Sequence, residues 1–358
     1  GRGKVDVGST TAAKNASGIN VCAGNATVNA KTLDIDVNGI KQAAGITTSH
    51  GITKVTADKV DIDVTSKGST SADKAVGIYA YTAPDAGTNP AEVKNVLNQI
   101  VSSDIDISVE NTGTGSAYGI QNEASASGEV GSQFDVVNDI KAAGAPLKLN
   151  VTAETGTGNA YAMSAHNTGR IALDSQINRI TGTGSGDLVQ LSALAGTGSA
   201  YGVFANFAEN EISKVDTLKI NATTGGVNGE ASTATGIYAQ QNNYGSSQNK
   251  ITDVKSVEVK AVNNGTNNVS SAHAMRADAS NAMHKSVNEI AAPDVHLIAE
   301  SAAGKYNEQI AGTYYTTRGG SFGMSAMTVN TNADGADISA PSESLSSNNI
   351  TADKVVID

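Results

Sequence analysis

Five aspartates stand in short alternating runs: Asp34 and Asp36 in Leu33-Asp34-Ile35-Asp36-Val37, Asp61 and Asp63 in Val60-Asp61-Ile62-Asp63-Val64, and Asp106 in Ile105-Asp106-Ile107-Ser108-Val109. Residues two apart on a strand project from the same face. Each run therefore sets carboxylates on one side and aliphatic side chains on the other. Runs laid side by side would gather oxygen ligands, and the ion such ligands suit is Ca²⁺. The tight loop and backbone carbonyls of a dedicated calcium site are missing from the pattern, so a solvated acidic face is the plainer alternative.

A second set of runs carries Tyr79, Gln121, Ser164, Phe204, Tyr238, Arg276 and Tyr314 at equivalent places, read as an outward column. Exposed aromatic rings stack on sugars or anchor a protein partner. Tyr79, Phe204, Tyr238 and Tyr314 are thus candidate ligand contacts, weighed against scattered surface aromatics. The histidines, at 50, 166, 273, 284 and 296, show no paired metal spacing. No metalloprotease, nucleophile-elbow or phosphate-loop motif appears, and no arginine sits beside an acidic cluster. The reading is of a non-enzyme with no catalytic residue, and with no cofactor beyond calcium on the acidic face.

What positions these residues is a long, imperfect repeat. Asn-x-Ile recurs at Asn98, Asn138, Asn178, Asn210, Asn249, Asn288 and Asn348, with spacings of 40, 40, 32, 39, 39 and 60. An amide both donates and accepts, so stacked asparagines predict a hydrogen-bonded ladder with a structural role. An alternating run follows each, and then a glycine turn into a further run, as in Gly113-Thr114-Gly115-Ser116-Ala117-Tyr118-Gly119-Ile120 and Gly196-Thr197-Gly198-Ser199-Ala200-Tyr201-Gly202-Val203. The block Thr56–Asp63 returns as Thr351–Asp358 with one change, Asp61 to Val356.

Period-two alternation with dense Gly, Thr and Asn excludes helical repeats. A propeller blade needs four antiparallel strands and their hairpin turns, which the pattern lacks. The expectation is an all-β, right-handed parallel β-helix (β-solenoid) of about 8–9 turns, each of roughly 32–45 residues. A single domain is expected over 1–358, with an irregular or capping segment at 1–25 and a long loop insertion at 313–347. Segments 81–97 and 121–137 are further loops. Asp106 with Lys148, and Lys219 with Glu258, are expected as cross-strand neighbours.

Composition agrees with many short strands: 38 glycines in 358 residues, no tryptophan and only 4 phenylalanines. The net charge of −11 excludes a phosphate-binding surface, so neither nucleic acid nor anionic lipid is an expected partner. Cys22 stands alone, which rules out a disulfide within the chain, and is expected as a small buried residue. No apolar run is long enough to insert in a membrane. The opening residues contain no signal-peptide core, so the segment reads as mature or trimmed.

The Asn-x-Ile, Ile-Asp-Ile-x-Val and Gly-Thr-Gly-Ser-Ala-Tyr-Gly-Ile repeats, with the acidity and the single cysteine, resemble the passenger domains of bacterial autotransporters over about residues 20–358. That resemblance implies a right-handed β-helix at the cell surface, outer-membrane-anchored or secreted, acting in adhesion, autoaggregation or biofilm formation and virulence. The implied partners are a host or bacterial surface glycan or protein, or another copy of the chain. The competing readings are a β-helical polysaccharide-degrading enzyme and a stacked filament subunit.

Overall fold

A computed structural model describes residues 2–8, 15–22, 24–49, 51–82, 96–124, 136–167, 176–206, 209–225, 232–241, 247–266, 270–279, 285–302, 320–328 and 346–358. Among the described residues there are 24 strands and no helix. The larger sheet holds β1 (Arg2–Gly8), β3 (Ala26–Gly39), β5 (Ile52–Ser66), β7 (Val96–Val101), β8 (Asp104–Asn111), β10 (Val136–Lys141), β11 (Lys148–Thr155), β13 (Gln176–Thr181), β14 (Leu188–Ala195), β16 (Glu209–Thr224), β18 (Ser247–Asn263), β20 (Ser286–Ala291), β21 (Asp294–Ser301), β23 (Ser346–Thr351) and β24 (Lys354–Ile357). The smaller sheet runs in chain order through β2 (Ala16–Cys22), β4 (Ala43–Ser49), β6 (Lys74–Thr82), β9 (Ser116–Ala124), β12 (Ala160–Asn167), β15 (Ala200–Asn206), β17 (Thr233–Gln241), β19 (Ser271–Ala279) and β22 (Gly320–Thr328).

The expected β-helix is corrected by the way the larger sheet pairs. In a β-helix each face is a separate, open parallel ladder. Here β5 pairs with β7 through its first residues and with β8 through its last. In the same way β16 pairs with both β13 and β14. The circuit β13-β10-β7-β5-β8-β11-β14-β16 closes on itself through β13 and β16. Eight parallel strands joined in a ring resemble a TIM-type barrel in strand number and closure, though not in strand order, here beside a second parallel sheet and with no helix around it among the described residues. The cause lies in the two long strands. They run unbroken where the sequence pattern suggests a break between the Asn-x-Ile run and the alternating run. In β16 and β18 the bend is absorbed by Lys214 and Asp253, each at φ 54°, a left-handed conformation uncommon outside glycine.

The segment read as irregular or capping, 1–25, carries β1 and β2, and within 313–347 β22, which contains Gly323, pairs with β19.

Both sheets share one core. Val60, Ile105, Leu149, Val189, Leu218, Val257 and Val295 stand in one register line. All are at most 1% exposed, and burying each stabilises the fold by about 1.5–3 kcal/mol relative to exposure. Ile46, Ile78, Ile120, Met163, Val203, Ile237 and Met275 pack against them from the smaller sheet.

The asparagines join the two sheets. Along the chain of repeats, each amide nitrogen donates to the next asparagine's side-chain oxygen: Asn98 to Asn138 at 2.9 Å, Asn138 to Asn178 at 2.8 Å, Asn178 to Asn210 at 2.8 Å, Asn210 to Asn249 at 2.7 Å, Asn249 to Asn288 at 2.7 Å and Asn288 to Asn348 at 2.8 Å. The same nitrogens donate across to the backbone carbonyls of Gln121, Ser164, Phe204, Tyr238, Arg276 and Ser325 in the smaller sheet. The ladder starts at Asn98 because its partner on β5 is Thr53, whose hydroxyl is bonded to that of Thr48.

Candidate ligand-binding groove

The outer face of the smaller sheet owes its composition to a break in its pairing. The ladders skip Gly77, Gly119, Ala162, Gly202 and Gly236. At Gly119 the residue turns inward, where a Cβ would meet Val151 Cγ1 at 2.2 Å, and the next residue, Ile120, also faces the core. The side chains on either side of this pair then point outward: Tyr118 before it and Gln121 after it.

The outward aromatic column expected from sequence is therefore outward but covered, which corrects its reading as a set of exposed contacts. Tyr79, Phe204 and Tyr238 are only 7%, 8% and 6% exposed. Phe204 is ringed by Tyr161, Tyr201 and Tyr238 at 5.5, 5.1 and 5.4 Å. Tyr238 lies under the Arg276 guanidinium at 5.0 Å and donates its hydroxyl to Asp278 at 2.9 Å. Tyr314 lies outside the described residues.

Three rings missed as a group by sequence reasoning form the more regular stack. Tyr118, Tyr161 and Tyr201 are paired in register, with centroids 4.8 and 4.9 Å apart and interplanar angles of 0° and 12°. Their signal was present: all three occupy the same place in the Gly-Thr-Gly motif. Their faces are spent on one another, so they brace the sheet and leave no open platform.

The first repeats differ. Tyr79 and Tyr81 stack at 4.8 Å and 19°, and Tyr81 is half-buried. They wall a groove of about 390 Å³ across β2, β4 and β6, which Asn15, Asn20, Gln42 and Lys74 also line. Such a volume lies within the ~300–1,000 Å³ of small-ligand sites. Cys22 stands at this groove and is exposed, which corrects the expectation that it is buried.

Glu123, on the neighbouring β9, anchors two of the lining side chains. It accepts from Lys74 Nζ at 2.7 Å and from the Tyr79 hydroxyl at 2.7 Å. Burial pushes its carboxyl up, but the Lys74 charge, these two donors and His166 outweigh burial and hold it below the usual carboxylate range. The Tyr79 hydroxyl is pushed well up by its own burial, then by Glu123, and so stays a donor. The Lys74–Glu123 pair leaves the groove close to neutral.

The acidic residues gather elsewhere, on the outer face of the larger sheet. Asp34, Asp61 and Asp106 share one register line, and Asp36 and Asp63 share the next. Lys59 meets Asp61 at 2.8 Å, and the Asn150 amide donates to Asp106 at 2.9 Å. Asn150 takes the place expected for Lys148, which pairs instead with Asp104. That shift of two residues keeps the same face outward, so alternation alone could not reveal it. Lys219 and Glu258 are neighbours in register. Among the described residues, no three acidic, histidine or cysteine side chains are placed to hold a metal ion.

No protein-family model matches the chain, and no curated protein or solved structure shows significant similarity to it.

Proposed function

We propose that this chain is the adhesive, surface-displayed part of a bacterial protein of the autotransporter passenger type, cell-surface-anchored or secreted. It binds a surface glycan or protein, or another copy of itself, and so supports adhesion, autoaggregation or biofilm formation. One observation carries this reading. The asparagines that recur with the repeat are consumed by structure in the ladder, whereas one outward column of the smaller sheet changes at every step, from Tyr79 through Gln121, Ser164, Phe204 and Tyr238 to Arg276. An array built this way is uniform inside and individual outside, as a recognition surface requires. The net charge of −11 keeps such a surface soluble and self-repelling.

The test is a bead assay with the whole chain. Beads coated with it are mixed with one another, with glycan-coated beads and with matrix-protein-coated beads. Clustering in any arm is the expected result. Dispersed beads in every arm, together with reducing-sugar release from an acidic glycan panel, would replace adhesion with polysaccharide cleavage.

A further inference from the structure

We propose that the groove across β2, β4 and β6 binds a neutral saccharide, an inference that rests on the adhesive reading and names a ligand class for it. Three features converge there. The first is aromatic: Tyr81 is half-buried at the groove wall, backed by Tyr79 at 4.8 Å. A pyranose ring presents a patch of C–H groups on one face, and such a patch packs on an aromatic ring. Backing by Tyr79, itself fixed by its bond to Glu123 at 2.7 Å, holds that ring in place before the ligand arrives.

The second is a set of carboxamides. Asn15, Asn20 and Gln42 line the same groove, with Asn15 donating to Gln42 at 3.3 Å. A carboxamide offers donors and an acceptor in one plane, the complement of neighbouring sugar hydroxyls, each of which both gives and takes a hydrogen bond.

The third is charge. Among the described lining residues Lys74 is the cation, and its ammonium is held by Glu123 at 2.7 Å. An acidic sugar would have to draw Lys74 from a half-buried carboxylate or bring a second carboxylate against it, and either costs binding energy. A neutral sugar leaves the pair intact. Among the described residues, Tyr118, Tyr161 and Tyr201 are stacked on one another and Tyr238 is covered by Arg276, so none of these four offers an equivalent face.

The test uses lactose, N-acetyllactosamine, cellobiose and mannobiose as neutral probes and sialyllactose as the acidic one. The chain has no tryptophan, so its tyrosine emission reports binding directly, and calorimetry gives Kd. At least one neutral disaccharide is expected to bind, with Tyr81→Ala weakening it about tenfold. Gln42→Ala is a second variant, clear of the aromatic pair, in case Tyr81→Ala does not fold. Exposed Cys22 is an internal reporter: the bound sugar should slow its maleimide labelling. Binding by none of the neutral probes, binding of sialyllactose alone, or equal binding by wild type and both variants overturns the proposal. If the variants still cluster beads while no probe binds, the groove inference fails and the adhesive reading stands. If wild type neither clusters beads nor binds a probe, both fail.

Discussion

The Asn138 amide nitrogen donates to Asn178 Oδ1 at 2.8 Å and, from its other hydrogen, to the Ser164 carbonyl of the facing sheet at 2.9 Å. One buried side chain thus ties neighbouring repeats and also the two sheets. Asn178→Ala would strand the Asn138 donor, the Asn210 acceptor and the Phe204 carbonyl together. Unsatisfied buried groups cost about 1–3 kcal/mol each, with some relaxation. The expected loss in urea denaturation is about 3 kcal/mol. Asn348→Ala, at the exposed end of the ladder, should lose less than about 1 kcal/mol. Equal losses at the two positions would contradict a ladder whose strength comes from burial.

Gly119→Ala tests the close approach of the sheets. Its Cβ would meet Val151 Cγ1 at 2.2 Å and the Ala162 carbonyl oxygen at 2.5 Å. The Ala162 oxygen is backbone in a regular strand, so that contact is relieved only by moving backbone. Overpacking of this kind costs about 1–3 kcal/mol. The thermal midpoint should fall, and an unchanged midpoint would show that the sheets can part freely there.

His273 makes stability depend on pH. Its ring is buried between Ser271 and Ser325 and stacked on Phe322 at 4.7 Å. Burial, then the charge of Arg276, pushes it down to about 3. An unfolded histidine titrates near 6.5, so in that interval the unfolded chain holds a proton that the folded chain refuses. Its contribution is complete above pH 6.5 and shrinks as pH falls toward 3, by up to ~1.4 kcal/mol per pH unit. His273→Gln should flatten the fall in urea midpoint between pH 7 and pH 5. The same slope in both proteins would place the sensitivity elsewhere.

Asp63 has the opposite sign. Burial, then the charges of Asp61, Asp106, Asp36 and Asp34, raises its carboxyl above the usual value. A raised carboxyl favours the fold while protonated, and that contribution is lost as pH rises through its folded pKa. At pH 7 it is therefore a liability. Asp63→Asn is expected to raise the thermal midpoint at pH 7 in EDTA, where no divalent cation masks the repulsion. The gain should shrink in high salt and vanish at pH 3.5. A lower midpoint for the variant at pH 7 would show that Asp63 makes a favourable contact outweighing its neighbours.

Some of this architecture is written plainly in the residues. The recurrence of Asn-x-Ile marks the ladder because like must lie on like for an amide to give and take. Alternation marks the core face of β5, β8 and β16 because side chains repeat every two residues. Closure of the eight-strand ring is not written there. It depends on β5 and β16 each running on to pair with two strands, and in β16 the run passes through Lys214 with a left-handed backbone that no side-chain pattern announces. The covering of Tyr79 and Tyr238 was hidden for a different reason. Each is closed over by an acid from a neighbouring strand, Glu123 and Asp278, in register two residues beyond the aromatic position. A column of outward residues looks exposed until the next column is known to be long, charged and paired with it.

The central claim, that this chain is a surface for attachment, is tested most directly under flow. Cells of a non-adherent bacterium displaying the whole chain are passed over surfaces coated with the neutral disaccharides, with matrix proteins or with the chain itself. The account predicts that displaying cells are retained on at least one surface at shear that removes non-displaying cells, with no sugar released into the effluent. Equal loss of displaying and non-displaying cells from every surface would contradict it.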